Sequence, residues 1–372
     1  MKSKDQNIVF TDASLLITEA AVRAGADVFI GYPITPSNRF YQYASKRFPS
    51  FLAGPDEITV MQWMSGLSAA GKFPVTATAF PGLALMTEGI NMAYAIELPM
   101  LIIITQRLGP STGSATTGAE GDLMFLKGLI SGFYPVPVIS HSGFDDAWEL
   151  TYEAIKLAYK LKTPVVLLTS KELVMTNKSF DLAQLSEIEP VPKFSSRIPE
   201  PFLTYKSGDE MVPAYIPVGN DNYQIRLNSS THNDEGMIRK NDTESMANTR
   251  RLNDKYIKRI AEFTFYELDH GENSENLIIS YGISSEASRD AVEEIRLGGE
   301  KISLLIVKTL LPVPPVIPEI ISRYKSVTFV EENLTGIYCD IIYGQNIPDH
   351  IKKVNKIGNL ISPSEILNVV RS

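Results

Sequence analysis

The chain has 372 residues. At ~150 residues per domain this is room for two or three domains and a sizeable core. Apolar residues make up 44% and charged residues 21%, which excludes a disordered chain. Against 43 Asp and Glu stand 35 Lys and Arg, a net charge of −8 that argues against nucleic acid or an anionic membrane as the main partner. Cys339 is the single cysteine. One thiol cannot build an internal disulfide, a Cys-based zinc site or an iron–sulfur cluster, so any redox cluster must sit on another polypeptide.

Residues 1–10 carry Lys2 and Lys4 but no apolar stretch of signal-peptide length. The densest apolar run, 98–105, is broken by Pro99 and falls well short of the ~20 residues of a membrane helix. A cytoplasmic chain without a membrane span is therefore expected. Thr11 and Asp12 are candidate N-caps for a helix over 13–25, which Gly25 stops. A buried strand is expected at 27–32, with helices at 37–48 and 57–71 after it. A strand at 75–79 leads into a helix at 83–97 that is apolar nearly all round and so is expected to be buried. The run 100–106, MLIIITQ, reads as a central parallel strand covered on both faces. Strands at 136–140 and 164–170 repeat the pattern around a helix at 145–161. Such alternation implies an α/β fold with a doubly wound parallel sheet.

Residues 176–255 are polar and turn-rich and read as an irregular connecting segment. A second α/β unit follows. A helix is expected at 252–268, strands at 276–280, 301–308 and 326–331, and helices at 284–297 and 317–324. The division is thus 1–175, 176–255 and 256–372.

Three stretches carry chemistry. Gly31-Tyr32-Pro33-Ile34-Thr35-Pro36-Ser37 closes a strand and opens a helix, and ligands in open α/β sheets bind beyond strand carboxyl ends. Thr35 there either presents a hydroxyl or amide to an anion or belongs to a capped turn without ligand. Asp56-Glu57 opens the next helix: ordinary capping is one reading, and a partly buried Glu57 sharing a proton with a ligand nitrogen is the other. Arg107 ends the MLIIITQ strand, placed to bind a carboxylate or to form a salt bridge at the sheet edge. Gly66 to Gly71-Lys72 matches half of a phosphate loop, but Phe73 stands where magnesium needs Ser or Thr, and the match lies inside a helix. His141, His232, His270 and His350 are scattered and suggest no metal site.

Together GYPITPS (31–37), Asp56-Glu57 with Gly66 and Gly71 behind it, PGLALMTEGINMAYAIELP (81–99) and QRLGPSTG (106–113) resemble the α subunit of the 2-oxoacid:ferredoxin oxidoreductases, most like the 2-oxoglutarate type. HNDEG (232–236), LIISYGISSEASRDAVEEIR (277–296), TLLPVPP (309–315) and VEENLTG (330–336) extend the resemblance over nearly the whole chain. The resemblance implies a pyrimidine-type thiamine-diphosphate-binding domain followed by a transketolase C-terminal-like α/β domain. It implies that Glu57 holds the pyrimidine N1′, with Pro33, Ile34, Pro81, Gly82 and Leu83 beside the cofactor. Thr35 and Arg107, with Ser111 and Thr112, would hold the 2-oxoacid carboxylate. The diphosphate, Mg2+ and a [4Fe–4S] cluster would belong to a β subunit. The absence of any Gly-Asp-Gly from this chain fits half of a shared thiamine site. Coenzyme A and ferredoxin would be the other partners, in an α2β2-type assembly with γ and δ subunits where the complex has them.

Three departures bear on substrate. Phe80 stands where the family has glycine, Arg39 where related subunits often carry Glu, and 114–120 lacks the family's lysine. Alternatives are the same chemistry on a branched-chain 2-oxoacid or pyruvate, or a catalytically degenerate assembly subunit.

Overall fold

The computed structural model describes residues 7–194, 198 and 200–372. In the first unit the elements are β1 (Ile8–Thr11), α1 (Ala13–Arg23), β2 (Val28–Gly31), α2 (Asn38–Arg47), β3 (Ser50–Ala53), α3 (Glu57–Ala69), β4 (Pro74–Thr78), α4 (Phe80–Ile96), β5 (Met100–Gln106), α5 (Leu123–Lys127), β6 (Val138–Ser140), α6 (Phe144–Leu161), β7 (Pro164–Ser170), α7 (Lys171–Met175) and β8 (Lys178–Asp181). After the connecting segment come α8 (Thr243–Arg259), β9 (Tyr266–Asp269), β10 (Asn276–Ser280), α9 (Ser284–Leu297), β11 (Ser303–Val307), β12 (Thr309–Leu311), α10 (Val316–Ile321), β13 (Ser326–Glu331), α11 (Ile337–Tyr343), β14 (Ile351–Asn355) and α12 (Pro363–Val370).

The larger sheet runs β12-β6-β7-β5-β4-β2-β3. Every pairing in it is parallel except β12 with β6. Central β5 pairs with β7 from Met100↔Pro164 to Gln106↔Ser170, and every residue of both strands is buried. That is why both read as unbroken apolar runs rather than as alternating ones. Helices α1 with α6, and α3 with α4, pack in pairs over this sheet. Asp12 caps α1 by accepting from the Ser14 and Leu15 amides, and Gly25 ends the turn at φ +94°.

The second sheet runs β14-β13-β10-β11-β9, parallel but for β9. Its strands alternate between two cores. Leu277, Ile279, Leu305 and Val307 join the core of the first unit, while Ile278, Leu304 and Ile306 pack with Val292, Ile295 and Ile366 under α9 and α12. The period-2 pleat thus fuses one face of the second unit to the first.

One sequence expectation is corrected. The helix expected at 252–268 is displaced: α8 begins at Thr243, a 3-10 turn covers Ile260–Phe263, and Tyr266–Asp269 is a strand. Asp242 supplies the start signal by accepting from the Ser245 amide at 2.9 Å. The Thr309–Leu311 stretch, beside a proline-rich loop, is a strand of the first sheet. The connecting segment is strapped to the first unit: Val191 N–H donates to Ala24 O, Val218 N–H to Ala69 O at 2.8 Å, and Lys193 pairs with Asp27. Helix α8 is pinned below α4, where buried Glu97 takes Arg251 and, at 3.0 Å, Lys255. Burial opposes the charge on Glu97, yet Arg251 and Lys255 hold its carboxyl well below the usual range. Among the described residues no helix is long and apolar enough to cross a membrane.

Candidate functional site

The carboxyl ends of β2, β4 and β5 converge. Ser37, just past β2, donates from its hydroxyl to Thr78 O at the end of β4 and to Thr105 Oγ1 on β5, both at 2.9 Å. Arg107, the residue after β5, reaches back to donate to Thr35 O. The proline-flanked loop 32–37 is thereby held across three strand ends, and Thr35 and Arg107 are brought together. The Thr35 hydroxyl accepts from Asn38 Nδ2 at 3.0 Å and retains its own proton to donate. Arg107 is buried, and its Nε has no hydrogen-bond partner among the described residues. A buried guanidinium N–H left unmatched is costly, and a carboxylate is the natural acceptor for it.

Glu57 lies at the first position of α3. The capping role falls to Asp56 instead, which accepts from the Thr59 amide at 2.7 Å. Glu57 is consequently free of it: the residue as a whole is buried, and its carboxylate, which makes no hydrogen bond among the described residues, still reaches solvent. Its neighbour is Gly82 in the first turn of α4. A Cβ at Gly82 would lie 2.8 Å from Glu57 Cγ and Oε1 and 2.0 Å from Thr78 Oγ1. Only glycine lets the first turn of α4 approach Glu57 and Thr78 this closely. Pro81 precedes it in the first turn, and Leu83 is buried behind it. Pro33 is exposed and Ile34 half-buried on the loop leading to Thr35. Ser111 and Thr112 sit exposed at the tip of the loop after Arg107, closed by Leu108 N–H to Thr117 O at 2.8 Å. No hydrogen bond ties them to Thr35, Glu57 or Arg107 among the described residues.

Sequence reasoning overlooked Ser37, Thr78, Thr105, Gln106 and Asp122. A polar residue closing an otherwise apolar buried strand would have flagged Thr78, Thr105 and Gln106. Gln106 Oε1 accepts from the Asp122 amide at 3.1 Å, and burial pushes the Asp122 carboxyl up to about 7 against the pull of Arg107. The half phosphate-loop match lies within α3, with Gly71 at φ +85° as the stop beyond it. His141 is buried and bonded to Thr169 Oγ1 at 2.7 Å, a structural role. Among the described residues no group of three His, Cys, Asp or Glu could hold a metal ion. A cavity of about 710 Å3 lined by Glu200, Phe202, Tyr223 and Arg226 lies on the connecting segment and includes none of the site residues.

Residues 19–251, more than half the chain, match the model of the pyruvate flavodoxin/ferredoxin oxidoreductase thiamine-diphosphate-binding family. The chain belongs to this family. It is an α subunit of the 2-oxoacid:ferredoxin oxidoreductases and an oxidoreductase subunit by descent. The 2-oxoglutarate synthase subunit KorA of Methanocaldococcus jannaschii is 27% identical over 98% of this chain and 99% of that protein. The ketoisovalerate oxidoreductase subunit VorB of Methanothermobacter thermautotrophicus is 30% identical over 94% of each. The solved 2-oxoglutarate:ferredoxin oxidoreductase of Magnetococcus marinus, with 2-oxoglutarate, coenzyme A and succinyl-CoA bound, superposes at a TM-score of 0.88 and 23% identity. It covers 98% of this chain, and this chain spans 65% of that one. A split-gene transketolase shares the fold at a TM-score of 0.54 and 13% identity.

For a family that binds thiamine diphosphate, the residues present fit the pyrimidine half of the cofactor. The Glu57 carboxylate, without a hydrogen-bond partner among the described residues, lies against the Cβ-free backbone of Gly82 and beside Thr78. Of the departures, Phe80 meets Phe125 edge-to-face at 5.3 Å, and Arg39 turns to Asp12 at 3.6 Å.

Proposed function

We propose that the chain is the α subunit of a heteromeric 2-oxoacid:ferredoxin oxidoreductase. It acts with a β subunit in the CoA-dependent oxidative decarboxylation of a 2-oxoacid, with 2-oxoglutarate the first choice, to an acyl-CoA and CO2, with electrons leaving to ferredoxin. The observation that carries this reading is Glu57, buried, without a partner and set against Gly82 at the converging strand ends. Residues 1–175 serve as the pyrimidine-binding domain, 176–255 as the connection and 256–372 as the transketolase C-terminal-like domain.

Thiamine diphosphate, when bound, supplies the carbon nucleophile and the electron sink for decarboxylation. Glu57 would hold a proton at the pyrimidine N1′, with Thr78 and Gly82 packed close beside it. Pro33, Ile34, Pro81 and Leu83 shape the apolar walls beside it. Arg107 gives its unpaired Nε–H to the substrate carboxylate, and Thr35 adds its hydroxyl proton. Ser111 and Thr112 come to the substrate from the loop tip.

The diphosphate, Mg2+ and [4Fe–4S] cluster are assigned to the β subunit, in a cytoplasmic α2β2-type complex. Exposed Ile58 and Trp63 on α3 and Leu85 on α4, the helices that begin at Glu57 and beside Gly82, support a partner seated there. A branched-chain 2-oxoacid is the second reading, favoured by the 30% identity to the ketoisovalerate subunit and by the Phe80–Phe125 ring pair. The test is co-expression with a β subunit and an assay of CoA-dependent reduction of a low-potential dye by 2-oxoglutarate, 2-oxoisovalerate and pyruvate. Turnover that needs both subunits and collapses in Glu57→Gln supports the proposal. Turnover unchanged in that variant, or none with any of the acids, overturns it.

A further inference from the structure

The loop 108–122 leaves the site at Arg107, carries Ser111 and Thr112, and returns to the site, because the Asp122 amide bonds Gln106 Oε1 at 3.1 Å. Two residues before that return, the loop is anchored to the second unit. Glu120 N–H donates to Glu332 O at 2.6 Å, Glu120 Oε1 accepts from the Ile283 amide at 3.0 Å, and Tyr281 Oη donates to Glu120 O at 3.4 Å. Gly282 makes the seat: at φ +56° it has no side chain, and a Cβ there would lie 1.9 Å from Glu120 Oε1. The connection therefore runs from β10 and α9 through Glu120 and Asp122 to Gln106 and Arg107.

We propose that Glu120 is a positioning residue of the active site, docking the Arg107 loop onto the second α/β unit and so setting the substrate-binding groups. Its carboxyl accepts from the Ile283 amide in surroundings that disfavour its charge. Among the described residues Glu120 Oε2 is buried without a partner, and the charged groups around it are mainly carboxylates: Glu332 and Glu331 from the second unit and Glu172 from α7. Burial first, then Glu332, Glu172 and Glu331, raise the Glu120 pKa well above the ordinary value, while the Ile283 amide opposes. Glu331 is itself held by the Tyr338 and Cys339 amides and Asn333, and Glu332 accepts from the Ile361 amide at 3.1 Å. Lys356 faces Glu332, and Lys171 lies 3.8 Å from Glu172. Burial pushes Glu332 up to about 7. A carboxyl whose folded-state pKa is raised favours the docked state at low pH and loses that contribution as pH rises through the folded value. Docking is thus firm in mild acid and slackens as pH rises through the raised values of Glu332 and Glu120.

The test uses the assembled α/β complex with Glu120→Gln and Glu120→Ala. It reads KM and kcat for 2-oxoglutarate from pH 6 to 9 and deuterium uptake of 108–122. Glu120→Gln, isosteric with the neutral acid, is expected to keep wild-type KM and uptake at pH 6.5 and to hold them to higher pH. Glu120→Ala is expected to raise KM by about tenfold, with a smaller change in kcat, and to speed exchange of the loop. Wild-type KM and uptake in Glu120→Ala overturn the proposal, as does a Glu120→Gln variant as impaired as the alanine. The KM readout rests on the proposed function, and the exchange readout does not. A wild-type complex inert toward every 2-oxoacid would sink that function and leave exchange to decide the docking.

Discussion

Helix α4 ends on one buried glutamate and begins beside another, and the two differ in every respect that matters. Glu97, at the carboxyl end, is saturated: Arg251 and Lys255 pair with it in a fully buried cluster. Glu57, packed against the first turn at Gly82, is less deeply buried and has no hydrogen-bond partner among the described residues. A neutralised carboxylate has nothing left to offer a ligand, so Glu97 holds the fold. A carboxylate without a partner keeps its acceptors available, which is why the proposed function rests on Glu57.

The comparison breaks if the two glutamates exchange phenotypes. Glu57→Gln should lower kcat by about 100- to 10,000-fold in the assembled complex while the melting temperature stays level or rises, as read by steady-state assay and thermal unfolding. Glu97→Gln should do the opposite. It leaves buried Arg251 and Lys255 without their counter-charge and should cost about 3–5 kcal/mol in denaturant unfolding of the full chain. Because the Glu97 carboxyl is held below its ordinary range, its stabilisation is present at neutral pH and lost as pH falls through that lowered value. An unfolding series in acid checks the sign. Arg107→Ala should lower kcat/KM for the 2-oxoacid by about 10- to 100-fold, mostly through KM, since it removes a charged donor. Gly82→Ala would put a Cβ 2.0 Å from Thr78 Oγ1 and 2.8 Å from Glu57 Oε1. Overpacking of that kind costs about 1–3 kcal/mol, and cofactor binding should weaken with it, as read by titration of the complex with thiamine diphosphate. The smallest effect is expected from Ser37→Ala. It removes a buried bridge between Thr78 and Thr105 and should cost about 1 kcal/mol of stability, with a modest rise in KM as the 32–37 loop loosens.

Much of the first unit was legible from local pattern. The strands at Met100–Gln106 and Pro164–Ser170 have the expected bounds, because continuous β-branched runs have one use in a parallel sheet. Glu57, Thr35 and Arg107 were picked out by strand-end position and by resemblance. Asp56 and Glu57 were not separable in sequence, since either carboxylate suits a helix start; backbone geometry gave the cap to Asp56. The edge strand β3, four residues long and largely exposed, carries too little apolar signal to be seen.

The amino-acid order by itself determined the alternation of strands and helices, the lone cysteine and the residues at the strand ends. Those follow from interactions within a few positions, or from composition. Only the tertiary structure decided which carboxylates are satisfied. Glu97 meets Arg251 across 154 positions, and Glu120 meets Ile283 across 163. It likewise decided that Thr309–Leu311 leaves the second unit to complete the first sheet. Contacts so distant along the chain leave no periodic trace, because their partners are chosen by how whole sheets pack and not by neighbouring residues.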